Sequence, residues 1–283
     1  KADLLGLPAG AIEAAGAEAD KKGYSGKWLF TLQAPSFLPF MQYGQNREIR
    51  KKIWTAYNSR AFNDAFDNQQ VIKDIVRLKF ERANLLGFKT HADFELAERM
   101  AQTPAQVFEF LNKLLTPSRK AADKDIAELR AFKKSIDGND EVMPWDFAYY
   151  SEKLKEKKYK FNDEELRPYF KLENVIEGVF EVARRLYSLN FKEVLDVPKY
   201  HPDVRTFEVR EEKTNNYIGL FYTDFFPRET KNGGAWCTRF RDQRRDGATD
   251  VRPHVSIVCN FTKPVGSTPS LLTFEEVRTL FHE

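Results

Sequence analysis

A mainly helical chain with a small β-sheet over about 204–261, leading into one last helix, is what the sequence predicts. Three observations predict it. Leu172, Val175, Ile176, Val179, Ala183, Leu186 and Tyr187 recur at a period close to 3.6. Helix punctuation, a capping residue or early Pro at the start and Gly at the end, frames several upstream segments. After Pro198 the pattern changes to short aromatic or branched runs separated by Pro, Asn and Gly. The expected division is therefore a helical region over 1–200 and a sheet with the start of a further helix over 201–283.

Residues 8–22 are rich in Ala and Glu, with Pro8 early and Gly23 just beyond, and predict a helix. K-W-L-F-T-L at 27–32 reads as a short strand. Helices are expected over 46–63, with Ile49, Ile53, Trp54 and Tyr57 on one face, and from an Asp67 cap to Gly87. Thr103-Pro104-Ala105-Gln106 is a third start signal, with a capping box and Pro at the first helical position. Pro117, which lacks an N–H and clashes with the preceding turn, is expected to break or kink that helix before it resumes through Ile126, Leu129 and Phe132. Pro144 opens the next, and 171–189 is a helix. Residues 204–210, 217–226, 235–240 and 253–261 read as strands. Thr273 and Glu276 form a capping box, and Val277, Leu280 and Phe281 make one apolar stripe on a closing helix.

The bulk numbers exclude several classes. The 283 residues carry 45 Lys and Arg against 42 Asp and Glu, so neither nucleic acid nor an anionic membrane is implied as a partner. No apolar run approaches the ~20 residues that span a bilayer. Two cysteines, Cys237 and Cys259, exclude a disulfide scaffold. Both lie in strand-like apolar stretches and are expected as buried free thiols; the cytoplasm is favoured over the periplasm. The start, Lys1-Ala2-Asp3, is neither an initiator Met nor a secretory leader and reads as a cut inside a longer protein.

His282-Glu283 falls on the closing helix. H-E is half of H-E-x-x-H, in which two His one turn apart hold zinc and the Glu is a general base. The dipeptide alone is weak, and an ordinary surface pair is the bland reading. A zinc helix beside a sheet edge is a sensible peptidase arrangement, because an extended peptide can pair with the edge while its scissile carbonyl lies over the metal.

Several stretches together resemble one family. I-G-L-F-Y-T-D-F-F-P-R-E-T-K-N-G-G-A-W at 218–236, preceded by H-P-D-V at 201–204, is similar to a signature of thimet-oligopeptidase-like zinc peptidases. R-P-H-V-S-I-V-C-N-F at 252–261 and L-L-T-F-E-E-V-R-T-L-F-H-E at 271–283 also fit, as do P-W-D-F-A-Y-Y at 144–150 and L-R-P-Y-F at 166–170. The first half, with K-W-L-F-T-L and R-x-x-x-W-x-A-Y-x-x-R at 50–60, resembles the bacterial peptidyl-dipeptidase (dipeptidyl carboxypeptidase) branch.

The resemblance implies half of a two-lobed channel peptidase with one Zn ion at the channel floor, acting on short peptides by releasing dipeptides from their C-termini or by cutting them internally. It implies His282 as the first metal ligand. Glu283 is then the catalytic base that takes a proton from the water activated by zinc and hands it to the leaving amine. From its small residues, not from the resemblance, the stretch Gly234, Ala235 and Trp236 reads as a close-approach strand beside the substrate or, blandly, as a tight turn before an ordinary strand. The second His, a later ligand Glu and the substrate-clamping groups of the family lie outside these residues, so the chain alone is expected to hold no catalytic zinc and to cleave nothing. Severing the zinc helix is expected to leave Val277, Leu280 and Phe281 without a packing partner. Self-association, or pairing with the missing C-terminal half, is expected in turn. A non-catalytic helical module that binds peptides or a partner is the other open reading. Asp224, Arg228 and Lys231 are expected to hold a loop, His254 to be structural and His91 to face solvent.

Overall fold

The computed structural model describes residues 2–283. They form two compact units: Lys1–Gln45 with Lys155–Glu283, and Asn46–Leu154. No helix among the described residues is long and apolar enough to cross a membrane.

In the first unit, α1 (Ala9–Lys21) starts after Pro8, and α2 (Ala34–Tyr43) carries Pro35 in its first turn and Pro39 inside. Two prolines in ten residues hide α2 from a propensity reading. The segment 27–32 between them is irregular rather than the expected strand. Its backbone bonds go to helix and loop instead: Leu29 N–H donates to the Ala15 carbonyl at 2.9 Å and Thr31 N–H to Ser36 Oγ at 2.9 Å. Aromatic composition gave the strand signal, but no neighbouring strand completes a ladder.

The second unit is helical. Asn46 caps α3 (Arg47–Asn58), accepting from Glu48 and Ile49 N–H. The next helix, α4 (Gln69–Leu85), has Asn68 at its cap position, one residue later than the expected Asp67, which instead accepts from Gln69 and Asn63 N–H. Thr90 caps the short α5 (His91–Leu96), where His91 is half-buried and stacks on Phe94, not solvent-facing. Helix α6 (Pro104–Asp137) begins with the predicted Thr103–Gln106 box and runs unbroken through Pro117. A single missing N–H costs about 3 kcal/mol, which the other turns of a 34-residue helix outweigh. Helix α7 (Pro144–Tyr159) follows. Ion pairs and a hydrogen bond, each with at least one buried partner, fasten this unit: Arg47 and Arg50 both bond Asp146, and Lys133 Nζ and Tyr150 OH both donate to Asp137. The Tyr150 hydroxyl, desolvated and facing a carboxylate, is held well above its ordinary range.

The chain returns to the first unit with α8 (Leu172–Tyr187), whose left-handed cap Ser188 turns directly into β1 (Leu189–Glu193). The sheet comprises β1, β2 (Arg205–Glu211), β3 (Tyr217–Asp224), β4 (Trp236–Arg241) and β7 (His254–Val258), in the order β1-β2-β3-β7-β4. Strands β3 and β7 are parallel and the other neighbours antiparallel. The pair β5 (Arg244–Asp246) and β6 (Thr249–Val251) forms a separate hairpin between β4 and β7. Phe180 of α8 stacks on Phe191 at 4.1 Å and meets Phe207 edge-on, seating α8 on the sheet. Helix α9 (Phe274–His282) completes the unit.

Candidate functional site

The family-like signature at 218–236 is first of all architecture. Gly219 lies where any Cβ would sit 2.7 Å from the Pro253 carbonyl, so β3 and β7 can approach only through glycine. Asp224, at the end of β3 and 1% exposed, is bonded by three side chains. Arg228 binds it bidentately at 2.9 and 2.8 Å, Lys231 Nζ donates to Oδ1 at 2.8 Å, and Tyr200 OH donates to Oδ2 at 3.0 Å. Lys231 also donates to the carbonyls of Asp224 and Phe226. Burial pushes the Asp224 carboxyl up, but the bonds from Arg228 and Lys231 outweigh it and hold the group below the usual range. These residues hold the loop after β3, as expected. His254 is partly buried on β7 beside the Tyr222 ring, a structural placement.

Helix α9 is fixed from both ends of its stripe. Glu276 accepts from Thr273 N–H at 2.8 Å while Thr273 Oγ1 accepts from Glu276 N–H, completing the predicted capping box. The same carboxylate also accepts from Thr262 N–H and Oγ1, tying the helix start to the segment after β7. Leu272 N–H donates to the Phe170 carbonyl and Leu172 N–H to that of Ser270, which stitches the starts of α8 and α9 together. Val277 and Leu280 are buried with Leu172, Val175 and Ile176 of α8 and with Phe225, Ile257, Cys259 and Phe261. They therefore have packing partners within this chain, contrary to the expectation that they lack them; Phe281 alone of the three is half-exposed. At roughly 25 cal/mol per Å² of apolar area, burying each Val or Leu stabilises by about 1.5–3 kcal/mol.

That packing brings His282 to the last exposed turn and Glu283 to the cap, where its N–H donates to the Thr279 carbonyl. Neither side chain has a hydrogen-bond partner among the described residues. Glu283 lies near enough to Cys259 to act on its thiol, which burial, foremost, pushes up to about 12. Cys259 is thus an inert buried thiol, as expected. Cys237 is exposed, correcting the expectation that it is buried: β4 is an edge strand, and the side chain lies on its open face.

The turn before β4 shares this neighbourhood. Ala235 packs against the cluster that holds Val277 and Leu280. Gly234 has φ +95°, a conformation that glycine alone adopts without strain, and Gly233 and Gly234 are exposed with open space where a Cβ would be. Trp236 opposes Val258 in the β4–β7 ladder, leaving the other edge of β4 unpaired. The structure therefore gathers Ala235, the end of β7 and α9 around one core. Sequence reasoning passed over Asn260, whose Nδ2 donates to the Asn232 and Gly234 carbonyls at 2.9 and 2.8 Å. An Asn at the end of a Val-Ile-rich strand, against β-propensity, was the available signal.

A catalytic zinc takes about three protein ligands. His282 is an exposed nitrogen donor of the right chemistry, but no three His, Cys, Asp or Glu side chains come together among the described residues. The residues present fit one corner of a zinc site and not the whole of it.

A model of Peptidase family M3 matches residues 40–283. Oligopeptidase A of Escherichia coli (strain K12) is 44% identical over 290 residues, which covers 100% of this chain and 42% of that protein. Dipeptidyl carboxypeptidase of the same strain is 36% identical over 286 residues, covering 100% of this chain and 41% of the relative. Thimet-like oligopeptidase of Dictyostelium discoideum is 32% identical over 295 residues, covering 99% and 42%. The chain spans about two fifths of the length of the curated relatives it matches. With the signature at 218–236 folded as one loop-and-edge unit and the match running through α9, this chain belongs to peptidase family M3.

Proposed function

We propose that this chain is part of a zinc peptidase that hydrolyses short peptides, with His282 as one metal ligand and Glu283 as its general base. The observation that carries the reading is the family match running to the end of α9, where a buried Val277–Leu280 face leaves His282 and Glu283 exposed side by side. The remaining ligands come from residues outside these 283. When bound, the metal supplies a Lewis acid for the scissile carbonyl and acidifies a water molecule. Glu283 takes that proton on a carboxylate oxygen and delivers it to the leaving amine nitrogen. Gly234, Ala235 and Trp236 line the open edge of β4, where an extended substrate adds as a strand.

The higher identity to oligopeptidase A supports cuts within short peptides, and the dipeptidyl carboxypeptidase relative supports release of C-terminal dipeptides as a second reading. Product analysis by mass spectrometry separates them. The test of the site is the intact protein carrying Glu283→Gln or His282→Ala. Glu283→Gln should keep stoichiometric zinc and lose about 10²–10⁴-fold in kcat, the scale of a general base, whereas His282→Ala should lose the zinc as well. Full activity in either variant would refute the assignment.

A further inference from the structure

Asn260 stands two residues past β7, and the antiparallel register that sets Trp236 opposite Val258 sets Gly234 opposite Asn260. Its side chain takes over where the backbone ladder stops. Both of its partners are carbonyl oxygens, so the amide nitrogen must face them. The described residues contain no cis peptide bond. In a trans peptide the C=O and the following N–H point in opposite directions. Holding the oxygens of Asn232 and Gly234 therefore turns the N–H groups of Gly233 and Ala235 away from Asn260. Neither N–H has an acceptor among the described residues, and nothing fills the space over Gly233 and Gly234. The first half of the same loop is fixed independently, by Lys231 on Asp224 and Phe226. Asn260 thus sets the orientation of the last peptide planes before the open edge, while the first half of the loop is held without it.

We propose that Asn260 is a positioning residue for substrate backbone: it aims the Ala235 N–H, with that of Gly233, at a carbonyl of an extended peptide lying along β4. The proposal rests on the reading of this edge as the substrate strand. It makes the amide of Asn260, not the glycines alone, the origin of the exposed donors.

The test uses the intact zinc-loaded peptidase and a fluorogenic oligopeptide, with variants Asn260→Ala, Asn260→Asp and Ala235→Pro. Asn260→Ala should raise KM about tenfold, the scale of one backbone hydrogen bond, with kcat within about twofold and the thermal midpoint unchanged. Asn260→Asp sets a carboxylate against two carbonyls and should raise KM further. Ala235→Pro removes the donor itself and should raise KM at least as much as Asn260→Ala. Wild-type KM in both Asn260 variants, or loss of fold in both, overturns the proposal whatever Ala235→Pro does. A wild-type KM in Ala235→Pro alone defeats the reading of the edge on which the proposal rests.

Discussion

Helix α9 and helix α4 carry the same kind of apolar stripe, yet the structure treats them differently. In α9, Val277 and Leu280 are buried against α8 and the ends of β3 and β7. In α4, Val71, Ile72, Ile75, Val76, Leu78 and Phe80 are exposed, and so are Phe108, Phe110, Leu111, Leu114 and Leu115 in the first half of α6. A 3.6-residue period states that a helix forms and which face is apolar; it does not state what covers that face. Around α9 the cover is supplied by residues far away in sequence and fixed by buried polar anchors. The anchors of the helical unit, Asp146 and Asp137, sit instead at α3, α7 and the end of α6, and leave α4 and the start of α6 uncovered.

The sharpest way to break the contrast is to remove the central anchor of the sheet. Asp224→Ala leaves Lys231, whose side chain is 2% exposed, and Arg228 without their carboxylate. Breaking a buried pair by deleting one partner costs about 3–5 kcal/mol. Because Asp224 is held below the usual carboxylate range, its contribution is complete above the unfolded value of about 3.9 and is lost as pH falls through the folded value. Urea unfolding should thus show the full deficit of the variant at pH 7 and a smaller one in acid below the carboxylate range. A deficit under about 1 kcal/mol at pH 7, the level of a surface pair, would mean that this network is not what distinguishes the two regions.

A smaller effect follows from Glu276, which serves both the α9 cap and the segment after β7. Glu276→Ala should cost about 1.5–3 kcal/mol, the range of hydrogen bonds to a charged group. Amide hydrogen exchange should quicken at Thr262 and over the first turn of α9, while β2 and β3 keep their protection. Uniform loss of protection across the sheet would contradict the local role given to this carboxylate.

The sequence carried much of this fold, and its failures have identifiable causes. The caps at Thr103 and Thr273 were legible because capping is written within four residues. Strand β1 was not, since it follows α8 with only Ser188 between them and its partner, β2, lies beyond a loop. Pro117 signalled a break because the local penalty is visible in sequence, whereas the cooperativity of a long helix is not. At the candidate site, motif and resemblance singled out His282 and Glu283, and the glycine-rich turn singled out Gly234–Trp236. Asn260 was passed over because its one sequence signal, an Asn ending a Val-Ile-rich strand, does not say what it bonds, and its partners are backbone carbonyls more than twenty residues away.

The smallest expected effect on stability tests the uncovered faces themselves. Ile75→Ser and Leu114→Ser each replace a side chain that is about half exposed. Substitutions at such positions stay within about 0.5 kcal/mol, so denaturant midpoints should hardly move. Contiguous exposed apolar area beyond a few hundred Å² nonetheless drives association. The 283-residue chain should therefore sediment as a concentration-dependent oligomer, and the double variant should shift that equilibrium toward monomer at unchanged stability. Leu280→Ala, on the covered side of the comparison, should do the reverse: it should lower stability by about 2–5 kcal/mol and leave the association of the still-folded fraction alone. If the double variant destabilised the chain as Leu280→Ala does, the faces of α4 and α6 would be packed within the fold, and the difference between the two helices would vanish.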